Sequence, residues 1–143
     1  MSKIELVKLV NSWDLADRSS YYTDDFVLTT ETGDPPSDKS AVLAMGDLMA
    51  AALPDISTVI EDIREEGDSV MLTSHWEGMF ANDFDLSALG MGVMPATGKA
   101  VVFPTSTIRI DFDGDKICAI HDTSTGPDAG IGGFLKALGG NGG

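Results

Sequence analysis

Two stretches decide the fold: ISTVIEDIREEGDSVMLTSHWEGMFA over residues 56–81 and KAVVFPTSTIRIDFDGDKICAIHDT over residues 99–123. Each is a pair of runs rich in β-branched and aromatic residues around a turn signal. In the first, Ile56 to Glu66 is predicted to pair with Ser69 to Ala81 across Glu66-Gly67-Asp68. In the second, Lys99 to Phe112 is predicted to pair with Lys116 to Thr123 across Asp113-Gly114-Asp115. Pro104 falls inside a predicted strand, where it removes a ladder donor and predicts a bulge or bend.

Outward from the hairpins the pattern changes period. Leu6, Leu9, Val10 and Trp13 form a stripe at helical spacing, and Asp14 to Tyr22 can continue as a second short helix. Phe26-Val27-Leu28-Thr29-Thr30 reads as a strand. Gly33, Pro35 and Pro36 mark a loop. Ser37 can cap a helix that runs to about Leu53, with Val42, Met45, Leu48, Met49 and Leu53 on its buried side. Between the hairpins, Asn82 to Gly98 is long and apolar for a loop, and Met79 to Met94 suits a lid or pocket wall, with core burial or a dimer seam as the alternatives. Ala129 to Leu138 predicts a last helix, and Gly139 to Gly143 a flexible tail. Helices followed by an antiparallel sheet define an α+β domain, and 143 residues suit a single domain over 1–138.

A net charge of −14 opposes nucleic acid and anionic membrane surfaces. One cysteine, Cys118, excludes an internal disulfide and a cysteine-cluster metal site. Two histidines 46 residues apart give no zinc spacing, so no metal or cofactor is expected. The N-terminus, MSKIELVKLV, lacks the pattern of a signal peptide, and the expected location is the cytoplasm.

Several signposts together resemble the SnoaL-like polyketide cyclase family, within the ketosteroid-isomerase-like cone-fold superfamily. They are Leu53-Pro54-Asp55, Glu66-Gly67-Asp68, Trp76-Glu77-Gly78, Phe84, the run Leu89 to Lys99, and Arg109 before Gly114-Asp115-Lys116-Ile117. The resemblance covers roughly residues 5 to 138. It implies a conical barrel, in which a strongly curved sheet and its helices enclose an apolar pocket. It also implies a homodimer through the outer face of the sheet and a small apolar ligand. Phe80 stands where many relatives have a histidine, and His121-Asp122 where they often have Trp-Asp.

By that resemblance Asp122 is the candidate acid/base, since a carboxylate in a dry pocket is poised to shuttle a proton beside a carbonyl. The alternative is a strand-end aspartate that accepts backbone hydrogen bonds. His75 is the candidate partner if Thr73, His75 and Glu77 face the pocket; otherwise it lies on the outer sheet face. His121 and Asp122 must point to opposite faces, and the resemblance turns Asp122 inward. Trp13, Tyr22, Phe80, Phe84, Met91, Met94 and His121 are the candidate substrate-binding residues. The expected reaction is cofactor-independent proton transfer on an apolar carbonyl compound. The competing reading is a non-catalytic ligand-binding or interaction module of the same fold.

Overall fold

The computed structural model describes residues 2–13, 18–32, 35–87 and 92–124. Met91, the expected last helix and the glycine tail lie outside them. The element order is α1 (Lys3–Val10), a 3-10 turn (Ser19–Tyr21), β1 (Tyr22–Thr30), β2 (Ser37–Asp38) and α2 (Lys39–Ala52). Then come β3 (Ser57–Glu66), β4 (Ser69–Met79), β5 (Phe84–Asp85), β6 (Val93–Met94), β7 (Ala100–Val102), β8 (Ser106–Asp113) and β9 (Lys116–Asp122). The main sheet runs β2-β1-β9-β8-β4-β3, with β7 also on β4. It is mixed, because β1 lies parallel to β9 while the other pairs are antiparallel. Among the described residues the result is an α+β half-barrel, a strongly curled sheet with two α-helices.

Local chemistry explains the curl. Both hairpin turns form, with Gly67 at φ 62° and Gly114 at φ 64°, backbone angles that an L side chain resists. Register shifts fall between Tyr22 and Val27, between Ile60 and Asp62, and between Asp111 and Phe112. Each such irregularity bends its strand and increases twist. Pro104 splits the long strand into β7 and β8. The ladder holds up to Phe103, whose N–H donates to Trp76 O at 2.9 Å, and resumes with β8.

Some boundaries differ from expectation. The cap of α2 is Asp38, not Ser37; the Asp38 carboxylate accepts from Ala41 N at 2.9 Å. Helix α1 ends at Val10, so its buried stripe is Leu6, Val7 and Val10, and Trp13 lies beyond it at φ 63°. The first long strand starts at Tyr22, four residues earlier than the apolar run Phe26 to Leu28 suggests. Inside the apolar connection, β5 and β6 form a small separate hairpin.

Two apolar clusters fill the inner side. One joins Leu6, Val7 and Val10 of α1 to Tyr22, Phe26, Val70, Leu72, Ile110 and Ile117. The other joins Met49, Ala52 and Leu53 to Phe80, Phe84, Leu86, Val101 and Phe103. Along β4, Val70, Leu72 and Ser74 are buried, so period two turns Met71, Thr73, His75 and Glu77 to the outer face.

Candidate functional site

Strand β9 settles the orientation of the histidine–aspartate pair. Asp122 lies opposite Ile108 of β8, and Ile108 and Ile120 pack on the core. Asp122 therefore belongs to the inner face, and His121, opposite Arg109, belongs to the outer one. Asp122 is half-buried, and its Oδ1 accepts from Ser124 N at 2.9 Å. That bond fixes the carboxyl group at the end of the strand. Across β8, a serine pair stands in the same sheet: Ser106 opposite the buried Ser74.

His75 does not join Asp122, contrary to the pairing expected from sequence. It sits on the outer face, where Nδ1 lies 3.0 Å from Glu61 Oε2 and Nε2 3.2 Å from Glu77 Oε2. The Glu61 hydrogen bond, aided by Glu77, raises its pKa above the ordinary histidine value of 6.5, while partial desolvation opposes the rise. Thr105, next to the Pro104 break, donates to the same Glu61 oxygen at 3.0 Å. His121 has a similar outer-face setting: Nδ1 is 2.6 Å from Thr29 Oγ1 and Nε2 is 2.7 Å from Glu31 Oε1.

The other candidates divide between the clusters. Phe80 and Phe84 are fully buried in the second cluster, and Met94 packs against them. Trp13 packs there too: its Nε1 donates to Thr58 Oγ1 at 2.8 Å, and its ring meets Trp76 edge-on at 6.3 Å. Tyr22 belongs to the first cluster, edge-on to Phe26 at 4.9 Å. Burial raises the Tyr22 pKa above 10.0, and the Arg18 charge partly opposes this. The sequence reading missed Arg18, whose guanidinium lies 5.3 Å over the Trp13 ring. Its signal was Gly46, a glycine inside a helix otherwise built of good helix formers.

An open groove of about 580 Å³ runs between the start of α1 and the β8–β9 turn, lined by Lys3, Tyr21, Phe112 and Lys116 among others. A second hollow of about 250 Å³ is lined by residues including Asp55, Glu77 and Val102. Neither is lined by Asp122 or His75. Among the described residues no group of three or more His, Cys, Asp or Glu is arranged to hold a metal ion. No helix among them is long and apolar enough to cross a membrane.

The SnoaL-like domain model matches residues 4–120, most of the chain and nearly all of this architecture. This protein belongs to the SnoaL-like domain family. Among solved structures, this SnoaL-like chain is similar to AclR of Streptomyces galilaeus, a proposed hydroxylase (24% identity, TM-score 0.65, covering 84% of this chain and 73% of AclR). It is also similar to IdmH of Streptomyces antibioticus, a proposed polyketide cyclase (22% identity, TM-score 0.64, 85% and 91% covered). A proposed SnoaL-like polyketide cyclase from a Jannaschia species aligns over 96% of this chain and 91% of its own, at 14% identity and TM-score 0.68. At these identities the likeness is one of fold. Among curated proteins none matches.

Proposed function

We propose that this SnoaL-like chain binds a small apolar carbonyl compound over the inner face of its sheet and moves a proton without a cofactor, with Asp122 as general base. The observation that carries this reading is the inward placement of Asp122 at the end of β9, beside the core residue Ile108. A carboxylate held there by Ser124 N can take a proton from carbon next to a carbonyl and return it elsewhere on the ligand. The developing oxyanion needs a donor, and Ser106 on the neighbouring β8, with Ser74 opposite it on β4, supplies hydroxyls on the same sheet. Aldol cyclisation, isomerisation and dehydration share this first step. His75 has no part in it, because its ring faces the other side. Trp13 and Met94, only partly buried, supply the apolar wall, backed by the buried Phe80 and Phe84. The reading also pairs two copies of the chain through the outer face of the sheet.

The test is proton exchange in D2O with an aryl-substituted 1,3-diketone as probe, followed by NMR. The wild type is expected to accelerate exchange, and Asp122→Asn to lose roughly 10²- to 10⁴-fold of that acceleration. Equal rates for the two proteins sink the acid/base reading. The second reading, a non-catalytic binding module, is favoured by the complete burial of Phe80 and Phe84 in a filled cluster. It expects Asp122→Asn to leave probe affinity intact and the wild type to catalyse nothing.

A further inference from the structure

We propose that Arg18 is the anion-binding residue of this site, so that the ligand is an apolar carbonyl compound that also carries a carboxylate. This deepens the function proposed above and rests on it.

The argument starts with a rigid platform. Trp13 holds φ 63°, a left-handed backbone that a bulky residue adopts only when its surroundings enforce it. Its indole N–H is bonded to Thr58, and its ring is braced edge-on by Trp76, itself braced by Phe103 at 6.3 Å. Arg18 stacks over this fixed ring. On its other side the guanidinium reaches the backbone of α2 at Gly46. A Cβ at position 46 would clash with Arg18 Nη2, so the guanidinium keeps this place only while position 46 is glycine and has to move for any larger residue. A helix-weakening residue thus stands where it makes room for a cation.

That cation has no role in the ion pairs of the described residues, which use Lys39, Arg64, His75, Arg109 and His121. It is half-buried, one of nine lysines and arginines in a chain of net charge −14. A guanidinium carries five N–H donors in a planar fork that matches a carboxylate, and Nη2 is the Arg18 nitrogen nearest Gly46. Trp76 and Thr58 lie directly opposite each other on the inner face, so the Trp13–Arg18 stack stands over the face to which Asp122 belongs. From β9 across β8 to β4 is two strand spacings, about 10 Å, and Asp122 is level with Leu72, four residues along β4 from Trp76, so the two ends lie farther apart than the strand spacings alone.

The probes are 6-acetyl-2-naphthoic acid and its primary amide, which share the ketone and differ in charge. Binding is read from tryptophan fluorescence, because Trp13 and Trp76 are the only two tryptophans. The wild type is expected to bind the acid at least about tenfold more tightly than the amide. Arg18→Gln and Gly46→Ala should each bring that ratio close to one. Gly46→Ala is the sharper test, since alanine favours the helix and only displaces the guanidinium. Equal binding of acid and amide by the wild type, or an unchanged ratio in both variants, overturns the assignment of Arg18 alone. If neither probe binds the wild type, the inner-face ligand site fails and this assignment fails with it.

Discussion

His75 carries a carboxylate on each ring nitrogen, and this makes it a stability group. Its folded-state pKa is raised, so its contribution is fully present below 6.5 and is lost as pH rises through the folded value. Glu61 is shifted the other way, held below 4.5 chiefly by the His75 hydrogen bond, so its contribution is present above 4.5 and is lost in acid. The stability difference between the wild type and His75→Gln should therefore peak between 4.5 and 6.5 and shrink on either side. Urea unfolding of both proteins across that range checks it; a difference that stays flat with pH removes the ion pair from the account. Cys118 supplies a second residue-scale prediction. Burial, then the charges of Asp111, Asp113 and Asp25, raise its thiol above 9.0. At pH 8 less than about a tenth is thiolate, so iodoacetamide should label it more slowly than it labels a small free thiol. Labelling at the free-thiol rate contradicts the shielding. The sequence allowed Asp122 and His121 to be assigned to opposite faces, because period two forces it. It left the face of His75 open, because β4 buries Ser74 and leaves Met71 half-exposed, so polarity does not mark the inner face.

At the scale of elements, the legible parts were those fixed by local chemistry. The two hairpin turns, the break at Pro104 and the existence of β3, β4, β8 and β9 follow from turn residues and β-branched runs alone. The parts that were not legible depend on partners distant in sequence. Trp13 fits a helical stripe by spacing, yet its bond to Thr58, 45 residues away, and its stack on Trp76 take it off the helix. Tyr22 starts the strand because it pairs in parallel with Ile117 of β9, ahead of the register shift that ends at Val27, which no nearby residue announces. Gly67 tests the local half of this view. Nothing lies within 4 Å of a Cβ added there, so Gly67→Ala is opposed by backbone conformation alone. At φ 62° the expected destabilisation is about 1 kcal/mol, read from the denaturation midpoint. A neutral effect means that the turn shifts type to accept alanine, and that the β3–β4 register does not depend on it.

At the scale of the molecule, the two faces of one sheet divide the work. The inner face holds the apolar clusters, Asp122 and the Trp13–Arg18 pair, while the outer face carries histidines paired with exposed carboxylates beside exposed apolar groups. Val102 is 64% exposed and Met79 42%, and both flank Glu77 on the outer side. Exposed valine and methionine on the outer sheet face favour association, and pairing two copies would remove them from water. Charge opposes it, because each chain carries −14. Exposed charges farther apart than the Debye length, about 10 Å at 0.1 M salt, are screened, whereas at about 10 mM salt they act over roughly 30 Å. Pairing through this face is therefore expected to tighten with salt, opposite to what an interface held by ion pairs between the copies would do. Sedimentation equilibrium should give twice the 15.1 kDa chain mass at about 0.3 M salt and a shift toward the single chain at about 10 mM. Val102→Asp should give the single-chain mass at both, since it places another carboxylate beside Glu77 in a face already rich in them. A wild type that stays at 15.1 kDa under every salt condition rules out pairing through this face. The pairs of His75 with Glu61 and Glu77 would then be surface clamps on the curvature of a single sheet, and the charge of −14 would act on solubility alone.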